Sequence, residues 1–310
     1  MRPEPAIMKD VPRESARTLS LGKILLFSLA CMSIFIAVAL VCGALTSWIR
    51  SDALRIAFRE LVLRAPLTIM ALHLLATRVI RVYAPDEMYG EVRLEGLLKW
   101  MVFAFVLPAA AWISYYVLNL IVPFHHVARL GTESMVSLLV TWISLSIAAG
   151  LTEEVLFRGH LYMIVAAGYS RTKSIVITSL IFGLVHIVML PAFSIFDVLT
   201  VVAGGFVAGL MFALIYQYSK VLWYAAVVHM VWDIFFIGKI TAIATTQAEA
   251  DQIILPFRLT THDPLLTGGS FGVEAGLPCF VIYTVVISVL YLMMKRGGSF
   301  RPTANAEATA

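Results

Sequence analysis

The segment 151–160, LTEEVLFRGH, constrains the fold more than any other stretch. It sets two adjacent carboxylates, Glu153 and Glu154, and one guanidinium, Arg158, between stretches 135–149 and 161–169, neither of which carries a charged residue. An ionised side chain at the centre of a bilayer costs about 2.5–3.5 kcal/mol on insertion scales, so three in one short segment need partners. On an α-helix Glu154 and Arg158 stand at i and i+4 and can pair. Glu153 is rotated from its neighbour by about 100° and is free to face something else.

The rest of the chain supplies the apolar surroundings. Of its 310 residues 60% are hydrophobic and 14% charged, with mean hydropathy +0.90. Soluble domains run at about 45–50% apolar and about 25% charged. The net charge of +4 fits the positive-inside bias of membrane loops and not a nucleic-acid partner. Cys31, Cys42 and Cys279 have no metal-ligand spacing and imply no disulfide framework. The apolar run after Lys23 is about 25 residues, too long for a signal-peptide core, and reads as a first membrane helix.

The pattern predicts an all-α, polytopic membrane protein with about eight transmembrane helices. The expected spans are 24–48, 56–80, 100–122, 133–168, 174–190, 196–216, 221–237 and 277–294. They form one domain, 24–295, between polar tails 1–23 and 296–310. The second span is the weakest, because Arg59, Glu60 and Arg64 fall in its first two turns; an interfacial helix is the other reading. Residues 81–98 are expected to lie on the membrane surface. Pro108 is expected to bend the third span, and residues 239–276 to form a polar, Gly-rich connection. Gly204, Gly205 and Gly209 permit close helix approach in the sixth. Most Lys and Arg residues fall on the side of the two tails, so both termini are expected in the cytoplasm.

Spans 4, 5 and 7 carry polar groups that a lipid anchor does not need. Span 4 has Glu153, Glu154, Arg158 and His160; span 5 has His186; span 7 has His229 and, one turn on, Asp233. His229 and Asp233 share a helix face, where the carboxylate can orient the imidazole. At about 1.5 Å per residue the three groups reach similar depths and are expected to meet. Two chemistries fit. In one, a glutamate activates water and the histidines hold that water or the developing oxyanion. In the other, Glu154, His186 and His229 bind a divalent metal, zinc by preference, and the remaining glutamate is the base. His73, His125 and His126 read as interfacial, and His262, Asp263 and Glu274 as solvated loop residues.

Taken in order, these residues resemble a known family. E-E-x-x-x-R (Glu153, Glu154, Arg158), F-x-x-x-H (Phe182, His186) and H-x-x-x-N/D (His229, Asp233) are similar to the three motifs of the CAAX protease and bacteriocin-processing family, also called the Abi family. The resemblance covers about residues 135–238 and implies an eight-helix intramembrane endopeptidase. Its prenyl-protein relatives remove the last three residues of CAAX proteins, and bacterial relatives are linked to peptide processing and self-immunity. By this resemblance Glu153 activates water, Glu154 and Arg158 support it, His186 positions the water or an oxyanion, and His229 with Asp233 completes the site. The family has been described both with and without a metal. Asp233 stands where prenyl-protein relatives usually carry Asn and adds negative charge near two glutamates. The implied partners are a membrane-associated protein or peptide and the lipid bilayer. Two other classes stay open: a non-catalytic binding or immunity protein of the same fold, and a small ion-coupled transporter. Paired repeats, frequent in transporters, are not visible in the sequence.

Overall fold

The structure is a computed structural model that describes residues 19–125, 130–191, 193–238 and 240–296. Most of the two expected tails, together with His126, lies outside the described residues. Seven helices are long and apolar enough to cross a membrane: α1 Leu21–Thr46, α2 Asp52–Ile80, α3 Leu94–Val117, α4 Thr132–Ala166, α5 Arg171–Met189, α6 Ile195–Ser219 and, after a shorter helix, α8 Leu277–Arg296. The shorter one, α7 Leu222–Phe236, has 15 residues. At 1.5 Å per residue it spans about 22 Å, less than the roughly 30 Å of a hydrocarbon core. The expected eight spans are thus seven of crossing length and one short helix, and that short helix carries His229 and Asp233.

Helix α2 continues through the charged stretch of the second expected span as one helix of crossing length. The buried Glu60 carboxylate neutralises part of the charge, with Arg59 Nε at 2.8 Å and Arg64 Nη1 at 2.5 Å. The turns Phe58–Arg64 are wide π turns. They lie just before Pro66, which has no N–H to give and crowds the preceding turn. Another wide segment, Val155–Leu161, interrupts α4 immediately after Glu154. Helix α4 is 35 residues long, about 52 Å, so it exceeds the bilayer core and must tilt or protrude.

Glycines decide how closely the helices meet. A Cβ on Gly183 of α5 would lie 2.5 Å from the Val202 carbonyl oxygen of α6, and one on Gly205 would lie 2.8 Å from Gly183 Cα. Gly150 does the same between α4 and α7, where a Cβ would sit 2.8 Å from the Met230 backbone nitrogen. Gly150 is one turn before Glu154 and Met230 follows His229, so this approach sets the distance between the Glu154 and His229 side chains. Around these crossings, Trp112, Tyr115, Phe212, Trp232 and Tyr283 anchor one core. Leu72, Leu156, Phe157, Leu161 and Phe182 anchor the other.

The expected connection 239–276 is folded. Strand β1 Ile121–Pro123 pairs antiparallel with β3 Leu255–Leu259, and β2 Thr241–Ile243 runs parallel to β3 on its other side. Strands of three to five residues, two of them holding a proline, are too short to show a period of two. After β3 the chain turns back through Gly268, whose φ of +77° and contact with the Gly272 carbonyl leave no room for a side chain. Tyr115 Oη lies 2.7 Å from the Val273 carbonyl and 2.9 Å from that of Leu266, and the Ser270 amide donates to Asp197 Oδ1 at 2.8 Å. These bonds hold residues 264–276 over the helix ends.

Replacing Gly150 with Val is expected to force α4 and α7 apart. Thermal unfolding in detergent should show a lower Tm than for Gly22→Val, a position with nothing within 4 Å of the added Cβ.

Candidate active site

A cavity of about 220 Å³ lies where α4, α5, α6 and α7 meet the segment before α8. Glu153, His186, His229 and Asp233 line it, as do Phe182 and Phe212. The structure therefore brings together residues that the sequence placed on three separate spans.

Glu154 is the hub. It is fully buried, and its Oε1 accepts from Arg158 Nη1 at 2.8 Å and from His229 Nδ1 at 2.8 Å. Arg158 also donates from Nη2 to the Gly209 carbonyl at 3.3 Å. Its guanidinium carbon lies 4.2 Å from the centroid of Phe182 and 5.2 Å from that of Phe212. Cation–π contact of this kind strengthens when water is excluded. The bond to Glu154 fixes a proton on Nδ1 of His229 and turns Nε2 toward the cavity. There Nε2 is 3.6 Å from Asp233 Oδ1 and 3.9 Å from Glu153 Oε2. The ring is held flat against Phe212, centroids 4.5 Å apart and planes 20° apart.

Glu153 points away from Glu154, as the 100° rotation predicts. Its side chain keeps 21% of its surface accessible, while Oε2 is buried and has no hydrogen-bond partner among the described residues. His186 begins the tight 3₁₀ turn His186–Met189 at the end of α5. Its Nδ1 is 2.6 Å from the Phe182 carbonyl oxygen, which can only accept, so Nδ1 carries the proton and Nε2 is the nitrogen left for the cavity. Phe182, one turn earlier, touches both histidine rings, with centroids at 4.5 Å from His186 and 5.9 Å from His229.

His160 does not join this group: it is buried elsewhere, with Nδ1 2.7 Å from Tyr83 Oη. Two residues outside the expected set do join it. Glu274 was expected in solvent, yet it lines the cavity and its Oε2 accepts from Trp232 Nε1 at 3.4 Å. Burial pushes its carboxyl up to about 7, against the partial relief of the Trp232 hydrogen bond and the nearby His229. The Gly-rich turn before an apolar helix was the one sequence signal for this placement. Arg64 of α2 also reaches the cavity wall.

Among the described residues no group of three His, Cys, Asp or Glu side chains is arranged to hold a metal ion. Glu154, in the expected set Glu154, His186 and His229, uses Oε1 on Arg158 and on the ring it orients.

Fold and site define a helical membrane protein with a desolvated carboxylate–histidine centre. Residues 135–235, about a third of the chain, match the family model described as Type II CAAX prenyl endopeptidase Rce1-like. The matched segment holds all three motifs and the whole Glu154–Arg158–His229 hub. The family is one of peptidases, in agreement with the resemblance read from the motifs. No curated protein and no solved structure matches the chain.

Removing one partner from a buried ion pair leaves the other uncompensated and costs about 3–5 kcal/mol. Arg158→Met is expected to destabilise the fold by that order in a denaturant titration in detergent. The Arg158→Met/Glu154→Leu double variant should recover part of the loss. For Glu274, the folded carboxyl titrates above its ordinary 4.5. The stability tied to its neutral form is therefore complete below about pH 4.5 and is lost as pH rises toward 7. Glu274→Gln should flatten the fall in Tm across that interval and leave Tm below pH 4.5 unchanged.

Proposed function

We propose that the chain is an intramembrane endopeptidase that hydrolyses a peptide bond in a membrane-associated protein or peptide. The observation that carries this reading is the placement of the two glutamates: Glu154 Oε1 holds Arg158 and His229, while Glu153 lines a cavity shared with two histidines, where its Oε2 accepts no hydrogen bond from the described residues.

In this reading Glu153 takes a proton from water as that water adds to the scissile carbonyl. His186 holds the water through Nε2. The tetrahedral intermediate carries negative charge on the former carbonyl oxygen, and His229, protonated on both nitrogens, donates to it from Nε2. Asp233 Oδ1 lies 3.6 Å from that nitrogen, on the same face of α7. The proton on Glu153 then passes to the leaving amine nitrogen as the C–N bond breaks. Exclusion of water by Phe182, Phe212 and the helices strengthens each of these interactions. Following the Lys and Arg distribution, we further place both termini in the cytoplasm, which requires the short α7 to cross together with the residues that flank it.

The test compares the membrane peptidomes of cells carrying the wild-type chain and Glu153→Ala at matched expression. A precursor that accumulates only with the variant is expected, and its processing should persist in the presence of a chelator. An unchanged peptidome, with the chain's biological effect intact in the variant, would sink the peptidase reading.

A further inference from the structure

Helix α2 brings a charged group into the cavity that the proposed mechanism does not use. Arg59 and Arg64 flank one carboxylate, Glu60, so the three side chains together carry a net positive charge inside a membrane-crossing helix. Such a charge is costly there and marks a functional position. Glu60 occupies Arg64 Nη1, and Phe35 covers a face of the guanidinium at 5.3 Å from its centroid. The edge that carries Nε remains. Nε is buried and has no hydrogen-bond partner among the described residues. The Arg64 side chain keeps 15% of its surface accessible and lines the same cavity as Glu153. The acidic cavity groups, Glu153, Asp233 and Glu274, sit on α4, α7 and the segment before α8, so positive charge enters the site from α2.

We propose that Arg64 is a substrate-binding residue that takes a carboxylate of the peptide in the same cavity. This rests on the reading of the cavity as a peptide site. The planar guanidinium edge matches a carboxylate through two parallel N–H bonds, which a lysine cannot reproduce. A cavity of about 220 Å³ accommodates a short piece of peptide and not the body of a phospholipid. The carboxylate has two sources, the free C-terminus of the substrate or an Asp or Glu side chain near the scissile bond. Anchoring it at Arg64 would fix which peptide bond lies over Glu153.

The experiment uses the full chain in detergent with Glu153→Ala, so that binding is read without turnover. Three fluorescein-labelled octapeptides share one apolar sequence. The first has a free C-terminus, the second an amidated one, and the third an amidated one with a single internal Glu. Fluorescence anisotropy is expected to show that the first or the third binds about tenfold tighter than the second, the size of a charge-assisted hydrogen bond. Whichever of the two shows the preference names the source. The preference should disappear with Arg64→Gln added and survive only in part with Arg64→Lys. A purely structural ion pair would lower the Tm of Arg64→Gln and leave the ratio between peptides unchanged, which overturns the proposal. Equal binding of all three peptides, including none, overturns it too. So does loss of affinity for phosphatidylglycerol nanodiscs in Arg64→Gln without any peptide preference, which would assign the site to lipid phosphate. A carboxylate preference that depends on Arg64, found together with an unchanged peptidome, would remove the peptidase reading and leave a carboxylate-binding site.

Discussion

A single carboxylate oxygen, Glu154 Oε1, organises the centre of this protein. It joins an arginine of its own helix to a histidine of α7, and both bonds are 2.8 Å. Because Glu154 and Arg158 are one turn apart, their pairing is nearly local. The bond to His229 is not: 75 residues separate the two, and it requires α4 and α7 to touch at Gly150. The ion pair satisfies the charge that would oppose burial of α4, and the same oxygen then sets the tautomer and direction of the ring. Stability and site geometry therefore depend on one contact.

The surroundings make that contact effective. Phe182 and Phe212 enclose Arg158, and Phe212 also stacks on His229, so the aromatic side chains that shield the cation also position the imidazole. The wide turns Val155–Leu161 begin directly after Glu154. Such widened turns often occur at functional sites, where they re-aim side chains that a regular helix would leave on other faces. Arg158 lies within this segment, and Glu153 and Glu154 lie at its edge.

Much of this was legible in the sequence because a membrane imposes a severe penalty on charge. Glu153, Glu154, Arg158, His186, His229 and Asp233 stood out against apolar runs, and the helical period told which of the two glutamates pairs with Arg158. Length alone separated the long spans. The period could not show which side of α7 meets α4, because that depends on the absence of a side chain at Gly150. It also could not place Glu274: the residue is remote in sequence from the motifs and reaches the cavity through a turn at Gly268 and bonds from Tyr115. Arg64 was visible as a flaw in a span. The period could not show that Glu60 is buried between Arg59 and Arg64. The small sheet was hidden because its pairing joins segments more than a hundred residues apart, 121–123 with 257–259.

The central claim is that two adjacent glutamates have separate tasks, one holding the centre together and the other performing the chemistry. The most direct test measures Tm and turnover side by side for Glu153→Gln and Glu154→Gln in the same detergent, with turnover read on the precursor that the peptidome identifies. The account predicts that Glu153→Gln keeps the wild-type Tm within a few degrees and abolishes turnover, whereas Glu154→Gln lowers both. Turnover retained in Glu153→Gln, or a Tm that falls equally in the two variants, would contradict it.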